Sequence, residues 1–206
     1  FDPRTKRASE EGCSFTENTK HSYYKVHWEH VVPAARLGRG MACWKDGCAN
    51  REGDRFGGRR CCRKQSEKFR LMEADMHNLR PAIGTINIAR QDYDFGEIPG
   101  EERRFGACDF EINPQARRAE PDDSIRGIIA RSYLYMDLAY DIGLTTEEKR
   151  QFERWDREHP PKEAELARNL LIREAQGNGN PFIEFRPTLT DSEESLNPNR
   201  SSCLLQ

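Results

Sequence analysis

The chain has 206 residues, 33% of them charged and 35% hydrophobic. Globular domains usually hold about 45–50% apolar residues, so one domain with a core small for its length is expected. No apolar run approaches the roughly 18 residues of a membrane span, which excludes a helical membrane anchor in this sequence, and no membrane partner is expected.

The net charge of -2 hides a segregation: residues 51–70 carry eight Lys or Arg against three acids, and residues 92–123 carry ten acids against four arginines. A basic strip of that density can neutralise backbone phosphates, or it can be a solvated face; composition leaves both open. Seven cysteines stand at 13, 43, 48, 61, 62, 108 and 203. Their gaps lack the paired short spacings of a structural metal site, so disulfides in an exported protein are expected, with one thiol left over. A start at Phe1, with no signal peptide, is what a processed chain presents.

In chain order, residues 1–20 are polar and irregular. The run 21–34 reads as extended and stops at Pro33. Within it, "VHWEH" alternates so that Val26, Trp28 and His30 share one face and His27 and Glu29 the other. Leu37 to Gly58 reads as a long loop needing cross-links for order. A helix is predicted from Ser66, with Phe69, Met72, Met76 and Leu79 at helical spacing and Pro81 as its stop. Residues 88–124 are acidic and turn-rich, with one short strand around Cys108 to Ile112. A strongly apolar helix over Ile125–Tyr140 is predicted to be central. Thr145 with Glu148 makes a capping box for a helix bearing Phe152 and Trp155, halted by Pro160-Pro161. A last helix over 162–175 ends at Gly177. The division expected is a domain over 1–185 and an irregular tail over 186–206.

Two clusters can carry chemistry: Trp28-Glu29-His30 at a strand end and Asp75-Met76-His77-Asn78 in a helix. Hydrolysis of a phosphodiester needs a base near neutral pH, hard oxygen donors for a hydrated divalent ion, and a cation on the phosphate. Glu29, His30, Asn78 and an arginine of the basic strip form one such set. Each member also has a plainer reading: His30 as a structural histidine, Glu29 as a solvated acid, Asn78 as an amide bonding its own backbone.

"WEHVVPA" (28–34), "CWKDG" (43–47), "FRLMEADMHNLRPAIGTIN" (69–87), "RGIIARSYLYM" (126–136) and "QGNGNPF" (176–182) resemble, in order and spacing, the endonuclease I family of bacterial periplasmic and secreted nucleases. The resemblance covers roughly residues 12–183. It implies an α+β fold, here a mostly helical, disulfide-stabilised single domain with a ββα-metal (His-Me finger) motif around one Mg2+, a site that Mn2+ or Ca2+ can also occupy. It implies sequence-nonspecific cleavage of DNA, with RNA sometimes accepted, leaving 5'-phosphate and 3'-hydroxyl ends. Carried over, Glu29 and Asn78 are the metal ligands, His30 the general base, and Arg59 of "FGGRRCC" the arginine on the scissile phosphate. The insertion "CANREGDRF" leaves Arg51 or Arg60 as alternatives for that arginine. Arg51, Arg55, Arg60, Arg63 and Lys64 are the expected nucleic-acid contacts. The family's histidine in its "GNHNPF" block is Gly179 here. Because strand alternation separates Glu29 from His30, a kink or bulge at His30 is predicted, turning both into one cleft. A secreted or periplasmic monomer is expected. The alternatives are a binding protein of the same fold without turnover and an RNA-preferring nuclease.

Overall fold

The computed structural model describes residues 25–100, 105 and 108–185. The irregular opening over 1–20 and the tail over 186–206 lie outside the described residues.

The elements run β1 (Val26–His30), α1 (Ala34–Gly38), α2 (Ala42–Lys45), β2 (Cys48–Ala49), β3 (Arg55–Phe56), α3 (Gly58–Gln65), α4 (Glu67–Ala74), a single 3-10 turn (Met76–Asn78), β4 (Leu79–Ile83) and α5 (Gly84–Arg90). Then follow β5 (Asp94–Phe95), β6 (Phe110–Asn113), β7 (Arg118–Pro121), α6 (Asp123–Tyr140), α7 (Thr146–Glu158), α8 (Glu163–Gln176) and α9 (Pro181–Glu184). This mixture of helices and small separate sheets is the α+β class. β1 pairs antiparallel with β4, β2 with β3, and β7 stands between β5 and β6.

The predicted central helix is α6, which buries Ile125, Ile129, Tyr133 and Met136. Phe152 and Trp155 of α7 close over it, the Tyr133 and Phe152 rings stacked with centroids 4.3 Å apart. Such a pair contributes about 0.5–1.5 kcal/mol beyond the area it removes from water. α7 begins at the expected capping box: the Glu148 amide donates to the Thr145 hydroxyl, and the Glu148 carboxylate accepts from the Thr145 amide. Gly177, at φ 91°, closes α8 in the left-handed conformation that glycine adopts without a Cβ penalty.

Between Leu37 and Gly58 the predicted loop holds α2 and the small β2–β3 hairpin. The expected cross-links are there: Cys43 bonds Cys62 and Cys48 bonds Cys61, tying hairpin and α2 to the adjacent cysteines of α3. No cysteine among the described residues is free.

The helix predicted to run from Ser66 to Pro81 is two elements. α4, capped by the Ser66 hydroxyl, ends at Ala74, because Asp75 turns to extended backbone and its buried carboxylate accepts from the His77 amide, both the Tyr135 and Tyr140 hydroxyls, and the Gln176 side chain. These bonds recruit α6 and the end of α8 to the break. The chain then runs as β4, with Pro81 inside a strand, opposite Trp28. Among the described residues β4 has one strand partner, so a residue with no N–H to donate is tolerated on it. His77 is a buried packing residue against Tyr135, its Nε2 bonded to the Asn178 carbonyl.

Candidate active site

β1 delivers the acid and the imidazole. Its register with β4 is unbroken from Val26 opposite Ile83 to His30 opposite Leu79, so the bulge predicted at His30 is absent. Glu29 and His30 therefore point to opposite faces of the ribbon. Trp28, on the face of His30, is exposed.

His30 reaches back to α4, where its Nε2 lies 2.9 Å from the backbone carbonyl of Glu73. A carbonyl only accepts, so Nε2 carries the hydrogen and Nδ1 keeps its lone pair. Burial pushes the His30 pKa below the ordinary imidazole value, and the nearby Arg59 and Arg63 add to the fall against the pull of Glu73. The Nε2–H bond holds the ring in one tautomer, and the lowered pKa favours its neutral form.

Glu73 does a second job with its side chain. Although burial opposes it, the carboxylate is held below the usual range by Arg63, whose Nε donates at 2.6 Å, and by Arg59, which bonds the other oxygen. One residue thus ties the imidazole, through its backbone, to two guanidinium groups, through its side chain. Arg60 and Lys64 lie on the Phe56 ring, at 4.7 and 5.5 Å from its centroid. Arg55 donates to the Asp46 carbonyl, and Arg51 is exposed in the turn between β2 and β3. Of the three arginines the sequence leaves as candidates for the phosphate, Arg59 is the one that shares Glu73 with His30.

Glu29 is buried, which pushes its pKa up against the opposing pull of Arg90. The Arg90 guanidinium bonds the Glu29 carboxylate directly. Asn78, expected to be the second metal ligand, is fully buried and occupied: its Oδ1 accepts from the Val32 amide at 2.7 Å and its Nδ2 donates to the Val32 carbonyl at 3.0 Å. That geometry gives Asn78 a structural task, since an amide bonded at both ends to the backbone beyond β1 is a strut.

The helix that follows the strand pair offers a different amide. α5 packs against β1, and Asn87 stands one turn before Arg90, the residue of that helix that bonds Glu29. Among the described residues nothing hydrogen-bonds the Asn87 side chain, which is half-buried. No group of three His, Cys, Asp or Glu that could hold a metal occurs among the described residues. A cation bound here would find a sparse set of donors, one carboxylate and one amide oxygen, which suits an ion that keeps most of its water, as Mg2+ does.

Sequence reasoning passed over Asn87, Arg90 and Glu73. "GTINIAR" shows no helical stripe of apolar residues, and its β-branched Thr85, Ile86 and Ile88 argue against helix. The one signal available was that "TIN" closes the long matching block 69–87.

An antiparallel strand pair followed at once by a helix, with an acid and a fixed imidazole at the strand end and a disulfide-clipped cationic helix beside them, defines a compact class of α+β site. A family model described as Endonuclease I matches residues 2–186, and the chain belongs to that family. It is 42% identical over 161 residues to an extracellular deoxyribonuclease of Aeromonas hydrophila, covering 78% of this chain and 66% of that protein. A periplasmic deoxyribonuclease of the same organism is 41% identical over 78% of this chain and 63% of its own length. Endonuclease-1 of Buchnera aphidicola subsp. Acyrthosiphon pisum is 36% identical over 77% and 59%. The chain thus spans between 59% and 66% of the length of these three curated relatives.

Proposed function

We propose that the protein is a metal-dependent, sequence-nonspecific endonuclease that hydrolyses DNA, acting as a monomer outside the cytoplasm. The observation that carries the reading is Glu73, which holds the neutral His30 and the Arg59 guanidinium from opposite ends of one residue. Location follows from the disulfides, which persist in oxidising compartments, and from relatives named extracellular and periplasmic. No helix among the described residues is long and apolar enough to cross a membrane.

In this reading β1, β4 and α5 form a ββα-metal motif. Glu29 and Asn87 would hold one hydrated Mg2+, with Mn2+ or Ca2+ able to take its place; a buried carboxylate braced by Arg90 and an amide with no hydrogen bond among the described residues fit such an ion. The ion, when bound, stabilises charge on the departing 3' oxygen. His30 takes a proton from the attacking water at Nδ1, and the Nε2–H bond to the Glu73 carbonyl steadies the imidazolium that forms. Arg59 leaves Glu73 for the phosphate and neutralises the pentacoordinate phosphorane. The departing 3' oxygen takes a proton from a water molecule, so the products carry 5'-phosphate and 3'-hydroxyl ends. Arg51, Arg55, Arg60, Arg63 and Lys64 grip the backbone, which carries no sequence information.

The test is plasmid nicking in Mg2+ and then in EDTA, with an RNA digest alongside. Wild type is expected to nick in Mg2+ and stop in EDTA; His30→Ala is expected to lose cleavage while still retarding DNA in a low-salt gel. Retention without cleavage by the wild type would identify a binding protein of this fold. Faster loss of RNA would identify an RNA-preferring nuclease.

A further inference from the structure

Arg90 is the last residue of α5, is buried, and is absent from every role assigned above. Three of its four hydrogen bonds go to the end of β1 and the residue after it, and the fourth to the loop after α5. Nη1 bonds the Glu29 carboxylate and donates to the His30 carbonyl at 2.8 Å, Nη2 donates to the Val31 carbonyl at 2.7 Å, and Nε to the Tyr93 carbonyl at 2.9 Å. The guanidinium lies 4.0 Å from the centroid of the Phe95 ring, which supports its other side.

We infer that Arg90 is the positioning residue of this site, fixing the Glu29 carboxylate and the backbone of His30 and Val31 in one rigid frame. The inference rests on the proposed nuclease reading. Among the described residues β1 has a partner strand on one edge only, so where the strand ends its carbonyls need donors from elsewhere. Arg90 supplies them and meets the acid with the same group. The pleat sends Glu29 and His30 to opposite faces; a planar fork touching the carboxylate of one and the carbonyl of the other fixes the rotation between them. Lysine cannot substitute, because a single ammonium on a flexible stem cannot reach four acceptors spread around a plane. Asn87 lies one turn earlier on the same helix, so the contact that ties Arg90 to Glu29 also ties the backbone carrying Asn87 to β1. Arg90 thus sets both the spacing of the two metal donors and the aim of the base.

The experiment compares wild type, Arg90→Lys and Arg90→Ala in four readouts: melting temperature, kcat and KM on a duplex oligonucleotide, Mn2+ affinity without DNA by electron paramagnetic resonance, and rescue by millimolar guanidinium at constant ionic strength. Partners that orient metal ligands typically cost about 10- to 100-fold when removed. Arg90→Lys is therefore expected to stay folded, to lose kcat and Mn2+ affinity by about tenfold or more, and to keep KM for DNA within about twofold. Guanidinium, and not sodium, restores part of the Arg90→Ala rate. A folded Lys variant with kcat and Mn2+ affinity within about twofold of wild type overturns the inference. Should both variants unfold, the wild-type Arg90 Nε–H nuclear magnetic resonance signal decides: a shift on adding Mg2+ supports the inference, and a signal unmoved at saturating Mg2+ overturns it. Wild type that fails to nick plasmid sinks the nuclease reading, whereas wild type that nicks and a Lys variant that nicks equally sink this inference alone.

Discussion

Two asparagines, Asn78 and Asn87, separate structure from chemistry at the level of single side chains. Asn78 satisfies both backbone groups of Val32 in a fully buried position. Removing it strands a donor and an acceptor, each costing about 1–3 kcal/mol. Asn78→Ala is expected to lower the melting temperature clearly, by differential scanning calorimetry. Asn87→Ala, at a half-buried position with no protein partner among the described residues, is expected to leave melting unchanged and to abolish Mg2+-dependent nicking. If Asn78→Ala alone loses nicking while melting as wild type does, the amide roles are reversed. His30 gives the pH dependence. Its pKa lies below the model-compound value of 6.5, chiefly through burial. A base works when unprotonated, so kcat/KM should rise with pH through an inflection below 6.5 and be level above it, at saturating metal. An inflection above 6.5 would mean that another group is the base.

Elements in this protein are short, and several stand only because something distant holds them. α3 is eight residues long, and its two adjacent cysteines bond backward to Cys48 and Cys43. That fixes which side of the helix carries Arg59, Arg60, Arg63 and Lys64. Replacing Cys48 and Cys61 together by serine removes one clip and leaves the other. Closing a loop of this size contributes about 2–4 kcal/mol, so the urea midpoint should fall accordingly, with KM for DNA raised as the hairpin and its Phe56 platform loosen. A midpoint equal to wild type would show that the Cys43–Cys62 bond suffices. α4 teaches the reverse lesson: helical spacing continues past Ala74 to Leu79, yet the helix stops because Asp75 is worth more as a buried acceptor of four donors than as one more helical residue.

Across the whole molecule the charge segregation read from composition becomes spatial. α3 turns its cations outward beside His30, while the apolar residues of α6 and α7 close the core. Affinity for a polyanion then rests on counterion release, with a slope of about -0.9 per phosphate neutralised in a plot of log affinity against log salt. Arg60→Ala combined with Lys64→Ala is expected to make that slope shallower by about 1.8, measured by fluorescence anisotropy on duplexes of several sequences, and equally for each. A slope unchanged by the double variant would move the nucleic-acid face elsewhere.

Local chemistry made part of this protein legible in its sequence. The alternation of "VHWEH", the Thr145–Glu148 box, the apolar periodicity of α6 and the closing Gly177 each depend on neighbours a few residues away, and each is found as read. The fate of Asn78, the break at Asp75 and the brace at Arg90 were decided by tertiary structure. Arg90 and Glu29 are 61 positions apart, and Asn78 and Val32 are 46 apart. Hydrogen bonds over such separations exist only after β1 and β4 have paired. Until then an amide that will become a strut and one free to meet a cation have the same chemistry, and pairing the strands is what makes them different.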